Sequence, residues 1–312
     1  MGLLVDGQWH DRWYNTQRNG GRFKRQESTF RGTISTDSGA AFPAASGRYH
    51  LYVAWACPWA HRTLIVRALK GLTEAISASF VHPDMLSEGW QFADSHPDPL
   101  HGLQRLHQLY TRANPNYTGR VTVPVLWDTR SETIVSNESS EIIRMFNTAF
   151  AGIGAPILED DLYPEPLRAE IDALNATIYH HVNNGVYRAG FATTQEAYEE
   201  AIEGLFATLD QLETRLSKRL WLVGGQPTEA DWRLLPTLLR FDAVYHSHFK
   251  CSRRRIQDYP ALWAYTKRLY QHPGVAETFN MKETRRHYFF SHTSINPHQI
   301  VPVMPDIDFR SA

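Results

Sequence analysis

In the first half of the chain, segments with the apolar pattern of a β-strand alternate with a segment that has the apolar spacing of an α-helix. His50–Ala54 is a short apolar run of the kind that forms a buried strand, and Arg62–Leu72 repeats apolar residues at helical spacing. Ile76–Val81, Val121–Trp127 and Thr133–Val135 have the composition and alternation of three further strands, and a polar turn separates the last two. The pattern therefore predicts an α/β region in which a strand and a helix are followed by three strands.

The second half of the chain has helical periodicity throughout. Five segments repeat apolar residues at spacings of three and four, namely 166–184, 194–217, 229–245, 261–272 and 275–290. Thr228 and Asp231 form a variant of the capping box that begins a helix, and Pro236 lies inside that helix, where it removes one backbone donor. We predict an extended N-terminal arm over residues 1–45, an α/β domain over 46–155 and an all-helical domain over 165–312.

Composition and charge exclude two classes of partner. The chain has 32 Lys and Arg against 33 Asp and Glu, so no field of one sign is available to hold a phosphate backbone, and we expect no nucleic acid partner. The longest apolar stretch, Leu51–Ala60, is about half of what a membrane helix requires, so we expect no membrane partner. Two cysteines in 312 residues fit a reducing compartment, which predicts a cytoplasmic location.

Cys57 is the candidate nucleophile. It follows an apolar strand and precedes Pro58, and proline is favoured at the first helical position, so the sulfur should lie at a helix N-terminus. Backbone N–H groups and the helix dipole at that position stabilise a thiolate and lower the pKa of a thiol. The spacing alone is equally consistent with a small buried hydrophobic side chain.

The residues after Cys57 indicate what the thiol would react with. The motif Cys57-Pro58-Trp59-Ala60 has alanine where a dithiol redox site carries its second cysteine, so no local disulfide can form. A thiolate without a resolving partner must pass its bound sulfur to an external thiol. The motif therefore implies a small soluble thiol such as glutathione as co-substrate.

Two other segments are suited to hold a small peptide. Val123-Pro124 opens a strand and leaves the backbone of Val123 available to pair with an extended peptide; no pattern shows whether the bond is cis. Glu138-Ser139 begins a helix, whose N–H groups and hydroxyl would suit a carboxylate. The alternative is that Ser139 serves only as the N-cap of that helix.

Histidine clusters suggest a metal site as an alternative. His180-His181, and His246 and His248 with Cys251, have spacings at which His and Cys can converge on zinc. No second cluster supplies the remaining ligands, and a chain with 15 histidines produces such pairs by chance. We therefore predict no metal.

Taken together, the motifs resemble those of one family. The matching strings are Ala56–Arg62, Glu88–Trp90, Tyr117–Asp128 and Ile134–Arg144 in the first half, and Asn183–Tyr187, Arg240–Tyr245, His287–Tyr288 and Ile295–Pro297 in the second. They resemble the glutathione transferases and, more narrowly, the glutathionyl-hydroquinone reductases of the Xi class. The resemblance implies a thioredoxin-like domain followed by an all-helical glutathione-transferase C-terminal domain, and a homodimer joined through the helical domains.

The resemblance also implies roles for individual residues. Cys57 matches the nucleophile of the family, Tyr187 its proton donor, and Tyr245 and Tyr288 the tyrosines close to the thiolate. The implied glutathione contacts are Trp90, Arg120, Val121, Thr122, Val123, Glu138 and Ser139.

The implied reaction is the glutathione-dependent reduction of glutathionyl-hydroquinones. Cys57 attacks the sulfur, the aromatic carbon leaves and is protonated with help from Tyr187, and a second glutathione releases oxidised glutathione. One alternative is a conjugating transferase, although that chemistry suits a Ser or Tyr hydroxyl at the motif. The other is a non-catalytic binding module, against which the retained cysteine and tyrosines argue.

Overall fold

The computed structural model describes residues 2–158 and 160–311. The chain divides into two compact units, and each unit is built from three separate segments. The first, which we call the sheet unit, comprises Met1–Trp13, Gln26–Asp160 and Glu277–His287. The second, which we call the helical unit, comprises Tyr14–Arg25, Asp161–Ala276 and Tyr288–Ala312.

Among its described residues, the sheet unit contains two sheets and three complete helices. Its strands are β1 (Leu3–Val5), β2 (Gln8–His10), β3 (Tyr49–Val53), β4 (Ile76–Phe80), β5 (Gly119–Arg120), β6 (Val125–Asp128) and β7 (Thr133–Ser136). Its helices are α1 (Pro58–Leu69), α2 (Leu106–Ala113) and α3 (Ser139–Thr148). The larger sheet has the order β4-β3-β6-β7, with β3 and β4 parallel and the other pairs antiparallel. The smaller sheet has the order β2-β1-β5.

Strand β3 lies inside the larger sheet, and all five of its residues are buried, which explains its continuous apolar run. His50 is the polar exception. Its Nδ1 lies 2.7 Å from the Ser77 hydroxyl and its Nε2 lies 2.8 Å from the Ser79 hydroxyl, so both ring nitrogens have partners. Burial lowers the pKa of His50 to about 4, and the imidazole is therefore neutral at physiological pH.

Helix α1 begins at Pro58, as the Cys57-Pro58 pair predicts, and so extends one turn before the apolar repeat that starts at Arg62. One strand differs from the sequence pattern. The strand predicted over Val121–Trp127 is wrong in its first half: β5 ends at Arg120 and β6 begins at Val125. Pro124 has no N–H to contribute to a ladder, which is consistent with this interruption.

The described part of the helical unit contains six helices and the end of a seventh. They are α4 (Arg168–Ile178), α5 (Gly185–Gly190), α6 (Gln195–Leu216), α7 (Glu229–Arg240), α8 (His246–His248) and α9 (Pro260–Tyr270), followed by α10 (Met281–Ser291). Single π-helical turns, Tyr179–Asn183 and Phe241–Tyr245, follow α4 and α7, so two of the predicted helices are interrupted near their ends. Across the part of the chain that the structure describes, no helix combines the length and the apolar character needed to cross a membrane.

The capping box predicted for α7 is confirmed. Asp231 accepts hydrogen bonds from the backbone and the hydroxyl of Thr228 at 2.7 and 3.1 Å. Asp231 is fully buried and also accepts from Tyr265 at 2.8 Å; burial nevertheless raises the pKa of its carboxyl group. The helix continues through Pro236, whose carbonyl oxygen accepts a hydrogen bond from Arg240 at 2.9 Å.

Candidate active site

The thiol of Cys57 lies at the N-terminus of α1, as the Cys57-Pro58 pair predicts. Cys57 is the N-cap residue, and its sulfur accepts a hydrogen bond from the backbone of Ala60 at 3.4 Å. The same sulfur donates to the carbonyl oxygen of Val123 at 3.4 Å, and the side chain is partly exposed. An N–H group aimed at the sulfur and the positive end of the helix dipole both stabilise negative charge there.

The second cysteine has the opposite environment. Cys251 is fully buried, and its sulfur lies 3.9 Å from the carbonyl oxygen of Phe249. Burial raises the pKa of the Cys251 thiol far above its ordinary value, so it remains protonated at neutral pH. No disulfide joins the two cysteines. Of the two thiols, Cys57 is therefore the one whose surroundings suit a nucleophile.

A buried phenol holds the backbone of Thr122, two residues before Pro124. The hydroxyl of Tyr110 donates to the carbonyl oxygen of Thr122 at 2.7 Å and accepts from its N–H at 3.2 Å. Tyr110 also accepts from the Asn137 amide at 3.2 Å, and burial raises its pKa to about 12. The Val123–Pro124 bond is cis. Tyr110 thus positions the predicted glutathione-contacting segment, a role that sequence reasoning missed.

The remaining side chains of this segment differ in exposure. Val121 and Val123 are buried, so mainly their backbone groups can contact a ligand. Arg120 is partly exposed, and its guanidinium donates to the carbonyl oxygen of Arg12.

Glu138 and Ser139 lie at the N-terminus of α3. Glu138 is the N-cap: its carboxylate accepts from the backbone of Ser140 at 3.0 Å and from the Ser140 hydroxyl at 2.7 Å. The alternative that Ser139 is the N-cap is therefore wrong, because Ser139 is the first helical residue and is buried. Burial alone would raise the pKa of Glu138, but hydrogen bonds from Ser140 and Ser28 outweigh it and lower the pKa.

Trp90 is fixed by the first part of α10. Its ring stacks on the imidazole of His287, with centroids 4.7 Å apart and an interplanar angle of 18°. The Nδ1 atom of His287 lies 2.8 Å from the carbonyl oxygen of Pro83, and this contact requires a proton on Nδ1. Next to it, the guanidinium of Arg286 makes two 2.8 Å hydrogen bonds to Asp84. Both rings of the stack are nearly buried, so the indole orientation is tightly constrained.

The three predicted tyrosines meet in the helical unit. The hydroxyl oxygens of Tyr187 and Tyr288 lie 2.5 Å apart, and those of Tyr245 and Tyr288 lie 3.1 Å apart. Burial raises the pKa of Tyr288 well above its ordinary value, and the neighbouring phenols make a smaller contribution in the same direction. Burial is also the main cause of the raised pKa of Tyr245. Both phenols are neutral at physiological pH, so the array can pass a proton between its hydroxyls. The predicted site residues thus fall into a set in the sheet unit, where the Cys57 sulfur contacts Val123, and a cluster of three tyrosines in the helical unit.

Two of the four histidines considered as zinc ligands, His180 and His248, contact other side chains. The Nε2 atom of His180 lies 3.1 Å from the Arg188 guanidinium, and His248 lies 3.1 Å from His292 through their ring nitrogens. Among residues 2–158 and 160–311, no group of three or more His, Cys, Asp or Glu side chains is arranged to hold a metal ion.

Comparison with protein families identifies both halves of the chain. The family described as "Glutathione S-transferase, N-terminal domain" matches residues 56–149, and "Glutathione S-transferase, C-terminal domain" matches residues 195–268. The glutathionyl-hydroquinone reductase PcpF of Sphingobium chlorophenolicum is 56% identical over 98% of this chain and 96% of its own. The glutathionyl-hydroquinone reductase YqjG of Escherichia coli is 54% identical over 99% and 97%.

Solved structures agree with these matches. A Xi-class glutathione transferase from Natrialba magadii aligns with a TM-score of 0.93 and 46% identity over 100% of this chain and 95% of its own. The glutathione-bound structure of YqjG aligns with a TM-score of 0.90 and 50% identity over 99% and 97%. These matches confirm the predicted fold class of a thioredoxin-like domain followed by an all-helical domain. The chain therefore belongs to the glutathione transferase family, within the Xi class of glutathionyl-hydroquinone reductases.

Proposed function

We propose that this protein reduces glutathionyl-hydroquinones to hydroquinones at the expense of glutathione. The observation that carries the proposal is Cys57, a thiol at a helix N-terminus in a motif without a resolving cysteine. Such a thiol can form a mixed disulfide with glutathione but cannot resolve it within the motif. Near full-length similarity to two proteins named as glutathionyl-hydroquinone reductases supports the same reaction.

Glutathione is proposed to bind the sheet unit along the segment from Arg120 to Val123 and at the N-terminus of α3. The backbone of Val123 can pair with the extended tripeptide, and N–H groups at the helix N-terminus favour a carboxylate. The Glu138 carboxylate remains ionised at neutral pH and can accept the ammonium group of the ligand. The indole of Trp90 completes the proposed set of contacts.

The first half-reaction forms the mixed disulfide. The Cys57 thiolate attacks the sulfur of the glutathionyl-hydroquinone, so that a disulfide bond forms as the carbon–sulfur bond breaks. The electron pair of that bond remains on the ring carbon, which takes a proton from Tyr187 and leaves as hydroquinone. An aromatic carbon is a poor leaving group unless a ring hydroxyl tautomerises, so we propose phenolic substrates.

The second half-reaction regenerates the enzyme. A second glutathione thiolate attacks the glutathionyl sulfur bound to Cys57, which releases oxidised glutathione and the Cys57 thiolate. The proton that this second glutathione loses on forming its thiolate returns to Tyr187, and Tyr288, whose hydroxyl lies within hydrogen-bond distance of both other phenols, can relay it. Burial raises the pKa values of Tyr245 and Tyr288, so both phenols are protonated at neutral pH and each can pass on one proton only as it receives another.

One assay separates this reaction from the two alternatives. The protein is incubated with a glutathionylated quinol and glutathione, and all products are quantified. We expect hydroquinone and oxidised glutathione in equal amounts. In a parallel incubation with free quinone and glutathione, enzyme-dependent accumulation of a thioether adduct without oxidised glutathione would indicate a conjugating transferase. Binding without turnover in either incubation would indicate a non-catalytic module.

We also infer a homodimer joined through the helical domains and a cytoplasmic location. The reaction consumes two glutathione moieties per turnover, which fits a compartment that keeps glutathione reduced. Light scattering coupled to size-exclusion chromatography tests the dimer, since a mass near twice 35.8 kDa is expected.

A further inference from the structure

The helical unit contains a cavity to which the proposed reaction assigns no role. Its volume is about 450 Å³. One wall comes from the N-terminal arm and the other from the region between α4 and α5. The lining residues that matter here are Arg22, Lys24, Arg25, Tyr179, Asn184 and Arg188.

The cavity carries an excess of positive charge. Four of its lining side chains are cationic, those of Arg22, Lys24, Arg25 and Arg188, and no acidic side chain is among the described residues that line it. Two carboxylates pair with these cations: Arg22 donates to Glu196 at 2.7 Å and to Glu200 at 2.8 Å, and Arg188 donates to Glu200 at 2.5 Å. Four cations against two carboxylates leave a net positive field, which attracts a negatively charged ligand.

Arg25 connects this cavity to the proposed proton donor. Its guanidinium lies 5.0 Å from the centre of the Tyr187 ring and 5.6 Å from that of Phe23, in the range of cation–π contacts. Its Nε donates to the side-chain oxygen of Asn184 at 3.0 Å, which orients the guanidinium. A negative group bound in the cavity would therefore lie one side chain away from the phenol that protonates the departing ring.

We propose that the cavity binds a carboxylate carried by the aromatic half of the substrate. Guanidinium groups recognise carboxylates through paired, charge-assisted hydrogen bonds, and Lys24 adds a point charge. The inference rests on the proposed function and extends it: the favoured substrates are acidic glutathionyl-hydroquinones rather than neutral ones.

A matched pair of substrates tests the inference. One is a glutathionyl-hydroquinone that bears a carboxymethyl group, and the other is its methyl ester, which has nearly the same shape and no charge. We expect kcat/KM to be roughly threefold to tenfold higher for the carboxylate, the range given by partly exposed charge pairs. The preference should fall as ionic strength rises, because salt screens exposed charges.

Variants locate the source of the preference. Lys24→Gln removes an exposed charge from the cavity and should move the ratio of the two kcat/KM values towards one. Adding Arg188→Gln should move it further. Arg18→Gln is the matched control, since Arg18 is an exposed cation of the same arm that does not line the cavity, and it should leave the ratio unchanged.

The outcomes separate this inference from the proposed function. Equal kcat/KM values for carboxylate and ester, or a preference that survives in the Lys24→Gln/Arg188→Gln protein, would overturn the carboxylate site. In either case the release of oxidised glutathione from the ester would still support the reductase reaction. If neither substrate yielded oxidised glutathione, the proposed function and the inference that rests on it would both fall.

Discussion

Cys57 and Cys251 carry the same thiol in opposite surroundings. Cys57 is partly exposed at a helix N-terminus, whereas Cys251 is fully buried and its pKa is raised. We therefore expect iodoacetamide to modify Cys57 and to leave Cys251 unmodified at neutral pH in the folded protein. Peptide mass spectrometry checks the sites, and labelling of Cys251 before Cys57 would contradict the assignment.

The same contrast predicts the effect of removing each sulfur. Cys57→Ser should abolish reduction while the protein remains folded, because a hydroxyl cannot form the mixed disulfide. Cys251→Ser is the control and should retain kcat. Circular dichroism verifies the fold of both variants, and full activity in Cys57→Ser would eliminate the proposed nucleophile.

Tyr187 acts on the aromatic ring in the proposed mechanism and not on glutathione. Tyr187→Phe should slow single-turnover release of hydroquinone on the order of a hundredfold, within the usual range of general acid assistance. The attack of glutathione on the mixed disulfide should change little, because a sulfur leaving group needs no ring protonation. Stopped-flow measurement separates the two steps. Equal slowing of both would mean that Tyr187 supports the site in general and does not donate the proton.

At the scale of elements, α3 depends on an ionised cap. The pKa of Glu138 is lower in the folded protein than in the unfolded chain, where it is near 4.5. The ionised carboxylate therefore stabilises the folded protein fully above pH 4.5, and this stabilisation is lost as the pH falls through the lower pKa of the folded state. Glu138→Gln should reduce the free energy of unfolding by about 0.5–1 kcal/mol at pH 7, where the charge meets the helix dipole.

Urea denaturation at a series of pH values checks this prediction. The difference between wild type and Glu138→Gln should shrink when the pH is lowered below 4.5, because the wild-type carboxylate then becomes protonated. A difference that stays constant from pH 7 to pH 3 would show that the charge of Glu138 does not stabilise α3.

Helix α10 positions the Trp90 indole through His287. His287→Ala should raise KM for glutathione several-fold with little change in kcat, since a contact made equally in the ground and transition states is uniform binding. His287→Phe keeps a ring to stack on Trp90 and loses only the hydrogen bond to the Pro83 carbonyl oxygen, so its KM should lie between wild type and alanine. Steady-state kinetics with both variants tests this order of KM values for glutathione. A fall in kcat at constant KM would refute the positioning role of His287.

The elements show where sequence patterns suffice and where they do not. Strand β3 and the start of α1 follow from an apolar run and from Pro58, because both signals are local. Helix α2 lies within residues 83–119, a segment rich in Pro, His and Asp for which we predict no element from the sequence, although Leu106, Leu109 and Tyr110 have helical spacing. The π-helical turns escaped detection because one turn of a π-helix and one of an α-helix give similar apolar spacing.

The candidate site also has a part that local sequence predicts and a part that depends on contacts between distant residues. Cys57 could be predicted as a helix N-cap from two adjacent residues. The stack of Trp90 on His287 joins residues almost 200 positions apart. The hydrogen bond from Tyr110 to the carbonyl oxygen of Thr122 depends on how the chain turns between them, which the apolar spacing does not predict. Contacts of this kind depend on the tertiary fold, so only the resemblance to a family pointed to Trp90 beforehand.

At the scale of the whole molecule, the sheet unit needs a segment from near the C-terminus. Thr278 contacts His61 at 2.9 Å, and Arg286 and His287 bond to the segment around Pro83. A protein ending at Ala276 should therefore melt on the order of 10 °C lower than wild type, because several buried contacts of the sheet unit are lost.

Calorimetry measures this loss, and a protein ending at Ser294, which retains α10, is the control for simple shortening. If the two truncated proteins melted at the same temperature, the segment Glu277–His287 would contribute nothing measurable to the sheet unit.

The interleaved segments also limit how this architecture can be recombined. A chimera joined in the linker near Pro164 would take the residues before the linker from one parent and the residues after it from the other. Its sheet unit would then contain a foreign Glu277–His287, and its helical unit a foreign Tyr14–Arg25. Each half of such a chimera would then contain a mismatched insert at a packed surface. Exchange between relatives therefore requires four crossovers besides the one in the linker, near residues 13, 25, 276 and 287, the last of which lies inside α10.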